Sequence, residues 1–430
     1  MKIAALIIIG LTLISMIISI VFDWKIKIKW KSISLYWVIT LMGAILCLIL
    51  GAAGQSPIKN LFFNSSKMNP LKILVLFLSC ASISVLLDEI GFFSYLASIV
   101  LKKSSANQTK LFFSFYLIIA ILTVFTSNDI LILTFTPFIC YFTKRAKIDP
   151  TPYIVSEFVC ANTWSIFLLI GNPTNIYLCS SLNITFIDYL LKMAIPTLSA
   201  GIVSMLIVYL LFRKKLKAPL AVDNVEVNRP DKALLAVGLT GLCLTIILMS
   251  VANYIGLELW YIPLVCGLLT YLLTIIVALI KKKTLTVIIN SLKNLPYALI
   301  PFLLSISIIV ATIENLGFVS DFANFVSSQN IFVVGLLSLV LGNLLNNIPM
   351  TMLLTSTLGA FSANLNYIFA VVAASNICAI LTPIGSLAGI MFMKILKNND
   401  VKYSFKTFIL YGLIISIPTL LVALLLISLI

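Results

Sequence analysis

Residues Phe77–Ala97 read FLSCASISVLLDEIGFFSYLA, and residues Ser305–Ala323 read SISIIVATIENLGFVSDFA. Laid together, Asp88 falls on Glu314, Glu89 on Asn315, Gly91 on Gly317 and Phe92 on Phe318. Both stretches are apolar enough to lie in a bilayer, and each puts a carboxylate where charge is expensive. Duplicated membrane segments that carry buried polar groups are what the halves of a secondary transporter look like.

The composition agrees. Of 430 residues, 61% are hydrophobic and 10% charged, and the mean hydropathy is +1.15. Apolar runs of about 20 residues recur, each long enough to cross a hydrocarbon core of about 30 Å. They leave no room for a separate soluble domain. The first run, Ile3 to Phe22, is too long for a signal peptide and lacks its small-residue cleavage site, so it reads as a span. Histidine is absent, which excludes histidine-based metal sites and proton relays. The eight cysteines contain no CxxC pair and read as small core residues.

All-helical spans are expected near 3–22, 34–53, 71–101, 152–178, 190–212, 231–250, 260–280, 296–318, 366–393 and 407–429. The apolar stretches 111–143 and 330–361 carry polar breaks, Ser127-Asn128-Asp129 and Asn346-Asn347, and read as re-entrant hairpins. Irregular backbone at membrane depth is tolerated only where it is buried in protein or lines a cavity. Charge tests this arrangement. With the N- and C-termini outside, all of the 29 Lys and Arg except Lys2, Lys59, Lys67, Lys72 and Lys192 fall on one side, as the positive-inside rule asks. The net charge of +15 is therefore topological and serves anionic headgroups rather than nucleic acid. Five spans per half also make the second repeat inverted relative to the first. The halves are expected at 1–217 and 233–430, joined by a cytoplasmic connector, 218–232.

Two further breaks interrupt spans: Gly171-Asn172-Pro173-Thr174-Asn175 and Thr382-Pro383-Ile384-Gly385-Ser386. Proline removes a backbone donor and glycine permits positive φ, so both should unwind. Unwinding frees backbone N–H and C=O groups, and half-helix N-termini carry about half a positive charge. Four such breaks meeting at mid-membrane would enclose a pocket for a small hydroxyl-rich or anionic solute. Its expected lining is Ser127, Asn128, Asn172, Thr174, Asn175, Asn346, Asn347, Thr382, Gly385 and Ser386. Proton coupling falls to carboxyls in apolar surroundings, which can load and release a proton near neutral pH. Asp129 at a hairpin tip is the first candidate, followed by Asp88, Glu89 and Glu314. Glu157 reads as interfacial.

These residues resemble a known family. Leu86-Leu87-Asp88-Glu89-Ile90-Gly91-Phe92-Phe93 looks like the LLDE-x-GFF segment of the ArsB arsenite and antimonite efflux permeases. Asn128-Asp129 with Thr136-Pro137 keeps that family's ND…TP spacing. Asn346-Asn347-Ile348-Pro349 resembles its NN-[LIM]-P, and Thr382-Pro383-Ile384-Gly385-Ser386-Leu387-Ala388 its TPIGSLA. The motifs run in order from about residue 71 to the C-terminus. The chain departs from the family at Ile130-Leu131, where small Gly-Ala is usual, and at Asn162 and Asn376, where many members carry aspartate. The wider ion transporter superfamily includes citrate, dicarboxylate and sodium/proton carriers. The resemblance implies inverted repeats around a central site, often a homodimer, and in some members a separate soluble ATPase subunit. A plasma-membrane location follows.

The first functional expectation is therefore arsenite or antimonite efflux in exchange for protons, with no cofactor beyond the coupling ion. Neutral arsenous acid is a small trihydroxide that suits Asn, Ser and Thr oxygens, while Asp129 takes the proton. An alternative is Na⁺- or H⁺-coupled permeation of an organic or inorganic anion, or Na⁺/H⁺ exchange. Freed carbonyls beside Ser127, Asn128 and Ser386 could hold Na⁺, but no Lys or Arg lies at the breaks to pair a carboxylate substrate. The chain lacks a Walker A loop, an HExxH motif and a Ser/His pair, so it is not expected to be an enzyme. A channel would conduct without coupling.

Overall fold

The computed structural model describes every residue except 1, 23, 29–30, 55–68, 104–106, 219–228, 253, 283 and 430. Lys59, Lys67 and most of the expected connector lie outside the described residues. The chain opens with α1 (Lys2–Val21), a two-stranded antiparallel ribbon of β1 (Lys25–Ile28) and β2 (Lys31–Ser34), and α2 (Leu35–Ile49). The ribbon falls where a basic loop was expected, and the Lys-Ile-Lys-Ile alternation explains it as a period-two pattern. There follow α3 (Pro70–Glu89), α4 (Phe92–Lys103), α5 (Gln108–Phe125), α6 (Asn128–Arg145), α7 (Thr151–Trp164), α8 (Pro173–Ser181) and α9 (Phe186–Phe212). The second half supplies α10 (Lys232–Val251), α11 (Tyr261–Ile280), α12 (Thr286–Lys293), α13 (Leu299–Asn315), α14 (Phe318–Ser327), α15 (Ile331–Leu345) and α16 (Asn347–Ala360). It closes with α17 (Leu365–Leu381), α18 (Leu387–Asn398) and α19 (Phe405–Ser428).

Among the described residues the two series match element for element apart from α12. Their contacts match too, with the halves exchanged. Helix α2 packs on α13 as α11 packs on α3; α8 packs on α16 as α18 packs on α6. Within each half, both arms of the hairpin pack on the broken helix, α5 and α6 on α7, and α15 and α16 on α17. The last helices, α9 and α19, pack on each other.

Among the described residues, seven helices are long and apolar enough to cross a membrane: α1, α3, α5, α9, α10, α11 and α19. The backbone breaks inside four of the ten expected runs, in two of them as expected; α2 is shorter than a full crossing, and α5, expected as a hairpin arm, is long enough for one. The expected 71–101 and 296–318 spans are not straight, and α13 and α14 meet at 83°. Their cause is the repeated glycine: Gly91 and Gly317 both sit at φ 90°, a left-handed conformation that glycine adopts without a Cβ penalty. The Gly91 amide donates to the Asp88 carbonyl at 2.8 Å and that of Gly317 to Glu314 at 3.0 Å, closing each helix end. The 152–178 and 366–393 runs split into α7 plus α8 and α17 plus α18. One-turn 3₁₀ segments, Leu169–Gly171 and Pro383–Gly385, fill the gaps. These two interruptions and the hairpin breaks agree with expectation.

Candidate functional site

The interrupted helices meet across the halves. Asn172 caps α8, its Oδ1 accepting from the Thr174 amide at 3.0 Å; Ser386 caps α18, its Oγ accepting from the Gly389 amide at 3.1 Å. Each cap satisfies an orphan donor of a new helix start. The glycines just before them are tightly enclosed. A Cβ on Gly171 would lie 2.3 Å from the Ser165 carbonyl oxygen, and one on Gly385 would lie 2.4 Å from that of Cys378. No side chain larger than hydrogen fits either fold-back.

From these breaks a hydrogen-bonded seam runs between the halves. Ser165 Oγ donates to Asn376 Oδ1 at 2.8 Å, and Asn376 Nδ2 donates to Asn175 Oδ1 at 2.7 Å. Thr174 and Ser375 hydroxyls lie 3.0 Å apart. Asn175 Nδ2 donates to the Ser165 carbonyl at 2.8 Å, satisfying a group freed where α7 ends. All five side chains are buried. The seam contains no formally charged group.

The hairpin tips join the seam from either side. Asn128 Nδ2 donates to Asn162 Oδ1 at 3.0 Å, and Asn347 Nδ2 to the Ser375 carbonyl at 3.3 Å. Asn346 Nδ2 reaches the Ile384 carbonyl at 3.0 Å, and Thr382 donates to Asn343 Oδ1 at 2.6 Å. Asn346 takes φ 76° and ψ 151°, a strained turn for a residue with a Cβ. Three tip groups are buried without a hydrogen-bond partner: Ser127 Oγ, Asn128 Oδ1 and Thr351 Oγ1. Such groups carry a desolvation cost of about 1–3 kcal/mol each.

At the seam the expected pocket is narrow. Among the cavities found, those touching Ser127 and touching Thr174 with Thr351 measure about 10 Å³ each, roughly the space of one water. The physical reason is that neutral donors and acceptors from the two halves satisfy one another across the seam. Larger cavities lie outside it. One of about 430 Å³ is lined by Asn69, Lys72, Ile73, Asn183, Glu258 and Trp260; another, of about 930 Å³, by Pro383, Ile384, Lys394, Lys397, Lys402 and Tyr403. Ile73 lines both the first of these and the small cavity at Thr174, so one face of α3 leads from vestibule to seam.

In the first vestibule Lys72 Nζ lies 2.6 Å from Glu258 Oε2, and Trp260 Nε1 donates to the same oxygen at 2.8 Å. The Lys72 ammonium holds the Glu258 carboxyl below its ordinary value. Its stabilisation is thus present above the unfolded-state pKa and fades as pH falls through the lower folded one. The pair is solvent-exposed, so it contributes less than about 1 kcal/mol.

The carboxyls divide. Asp129 stands in the first turn of α6, half-buried, with no hydrogen bond or ion pair among the described residues. The Tyr36 phenol on α2 lies within its electrostatic reach. Asp88 is half-buried at the end of α3, and Glu314 is exposed at the end of α13. Glu89 accepts from Asn294 Nδ2 at 2.6 Å, while its repeat-mate Asn315 donates to the Ala52 carbonyl at 2.9 Å. This pair ties each bend to a segment of the other half and does not join the seam. Glu157 corrects the interfacial reading, because it is 0% exposed and takes a hydroxyl from Thr136.

Ser165, Ser375, Asn343 and Thr351 escaped the sequence reading. Asn343 had a signal, the Asn-x-x-Asn spacing that sets it on one helical face with Asn346. Ser165 stands at the turn that ends α7, and Ser375 and Thr351 are single hydroxyls inside apolar helices.

The family profile described as arsenical pump membrane protein (ArsB) matches residues 5–429. An arsenical pump membrane protein of Escherichia coli is 26% identical over 418 residues, covering 92% of this chain and 93% of that one. One from Yersinia enterocolitica is 24% identical over 374 residues, covering 81% and 84%. The crystal structure of the Alcanivorax borkumensis YdaH transporter, described as having an unusual topology, superposes with a TM-score of 0.58. That likeness covers 100% of this chain and 97% of that one at 14% identity, and concerns the fold.

Proposed function

The chain belongs to the arsenical pump membrane protein (ArsB) family, and from that premise we propose that it exports arsenite or antimonite in exchange for protons. It is a multi-pass membrane transporter of the ion transporter superfamily, not an enzyme. The observation that carries the finer reading is the uncharged seam of Ser165, Thr174, Asn175, Ser375 and Asn376, contributed by both halves. A neutral trihydroxide such as arsenous acid can exchange hydrogen bonds with these groups one for one, without a cation to neutralise it.

In this reading the narrow seam is an occluded state between two vestibules. Separating α6 from α18, or α16 from α8, opens it to one side at a time. Substrate binds Asn128, Asn172, Thr174, Asn175, Asn346, Asn347, Thr382 and Ser386, with Gly385 allowing close backbone approach; Asp129 carries the proton. The halves, residues 1–217 and 233–430, lie inverted in the plasma membrane with both termini outside, and the basic side faces the cytoplasm. There a second copy completes a homodimer, and a soluble ATPase subunit can dock.

The test uses purified protein in liposomes with the electrical gradient clamped. Radiolabelled arsenite is expected to accumulate about tenfold for each pH unit of gradient in a one-to-one exchange, since a tenfold ratio corresponds to 1.4 kcal/mol. A protonophore should collapse it, and sodium should leave it unchanged. Sodium-driven citrate or sulfate uptake without arsenite flux would overturn the reading.

A further inference from the structure

Among the described residues, Glu157 is the fully buried acidic side chain, and nothing above gives it a task. Its hydrogen-bond partner is Thr136, whose Oγ1 lies 3.1 Å from Oε1 and 3.0 Å from Oε2. A hydroxyl has one proton to give, yet both carboxyl oxygens stand within range. A protonated carboxyl fits this geometry: one oxygen accepts from Thr136, and the other donates to the hydroxyl lone pair. A carboxylate here would have one neutral partner and no cation, a costly arrangement in a membrane interior.

Thr136 is oriented for the acid. Neighbouring hydroxyls on α6 bond back to their own helix, Thr134 to the Ile130 carbonyl at 2.9 Å and Thr143 to that of Ile139 at 2.7 Å. Superposing Asn128 on Asn347 puts Thr136 on Thr355; superposing Asn162 on Asn376 puts Glu157 on Val371. Thr355 bonds back to the Thr351 carbonyl at 2.7 Å, and Val371 is buried. The acid is thus an addition to one half of an otherwise matched pair.

Its place along the helices is also informative. Glu157 lies five residues from Asn162, about 7.5 Å along the axis, and six from Thr151 at the basic-loop end, about 9 Å. Thr136 stands seven residues beyond Asp129, about 10 Å along α6. Titratable neighbours are the thiols of Cys140 on α6 and Cys160 on α7, with the Tyr116 phenol of α5 beyond Cys160. Helices α9, α17 and α18 bring no charged side chain to it among the described residues.

We propose that Glu157, held by Thr136, is a second proton-carrying site, between the seam and the basic loop. It keeps a proton while α6 is packed on α7, and gives it to water on the basic side when the two helices part. The inference rests on the proton-exchange reading, and deepens it by giving the inward half of the proton's route a carrier.

The full-length protein in liposomes tests it, with Glu157→Gln, Glu157→Val and Thr136→Val. Glutamine keeps the neutral shape and the Thr136 contact, and valine copies the other half. Glu157→Gln is expected to lose pH-driven arsenite flux, with its melting temperature unchanged. Thr136→Val should keep flux but shift its pH profile. Infrared spectra should show a carboxylic C=O band that vanishes on alkalinisation and is absent from Glu157→Gln. Wild-type flux and pH profile in Glu157→Gln would make the residue structural and overturn the proposal while leaving proton exchange standing. Should Glu157→Gln not fold, an unchanged pH profile in Thr136→Val overturns it instead. Wild-type flux indifferent to the pH gradient would remove the exchange reading. It would take the carrier role with it, whereas an infrared band that persists at every pH overturns the carrier role alone and leaves exchange standing.

Discussion

Asp129→Asn is expected to abolish transport driven by a pH gradient while leaving the protein folded. Asp129 occupies the first turn of α6, where the helix dipole favours negative charge by about 0.3–1 kcal/mol. Asparagine keeps the size and the polarity, so the stability cost should stay within that range. What it cannot do is load and release a proton. Flux in proteoliposomes should therefore fall to the level of protein-free vesicles, whereas arsenite-induced changes in melting temperature should persist. A variant that keeps its pH-driven flux would remove Asp129 from the coupling role.

The second large effect concerns the fold-backs. Gly171→Ala and Gly385→Ala each place a Cβ against a backbone carbonyl, at 2.3 Å and 2.4 Å, and backbone cannot rotate aside as a side chain does. Overpacking of this kind costs about 1–3 kcal/mol. At Gly171 the displaced group is the Ser165 carbonyl, which accepts from Asn175, so the seam should loosen as well. Gly10 of α1 is the control, since a Cβ there meets nothing within 4 Å; alanine at that position should be neutral or stabilising by up to about 1 kcal/mol. Thermal unfolding in detergent measures all three. Equal melting temperatures for Gly171→Ala and Gly10→Ala would show that the 3₁₀ turn has room the structure denies.

Much of this architecture was legible because its breaks are written in residues with local consequences. Pro173 and Pro383 cannot continue a helix, and Asn172 and Ser386 are good caps, so the interruptions were visible without tertiary information. The matching of Phe77–Ala97 with Ser305–Ala323 exposed the doubling. The same match concealed the bends at Gly91 and Gly317. Apolar sequence continues through both, and a glycine's φ is not written in its neighbours. Glu157 was misplaced because an acid six residues past a proline helix start looks interfacial in one dimension. Its burial depends on α6, which Thr136 brings to it. The narrowness of the pocket at the seam was out of reach for a related reason. Neutral side chains such as Asn376 and Asn175 serve a solute or each other according to distances that only packing sets.

The central claim is that the interrupted helices of the two halves meet in one seam that must part for transport. Cysteines replacing Thr174 and Ser375, whose hydroxyls lie 3.0 Å apart, test it most directly in a chain cleared of its native cysteines. Oxidation is expected to join them, to stop arsenite flux, and to restore it on reduction. Failure to cross-link in a folded, active double variant, or undiminished flux after cross-linking, would contradict the account.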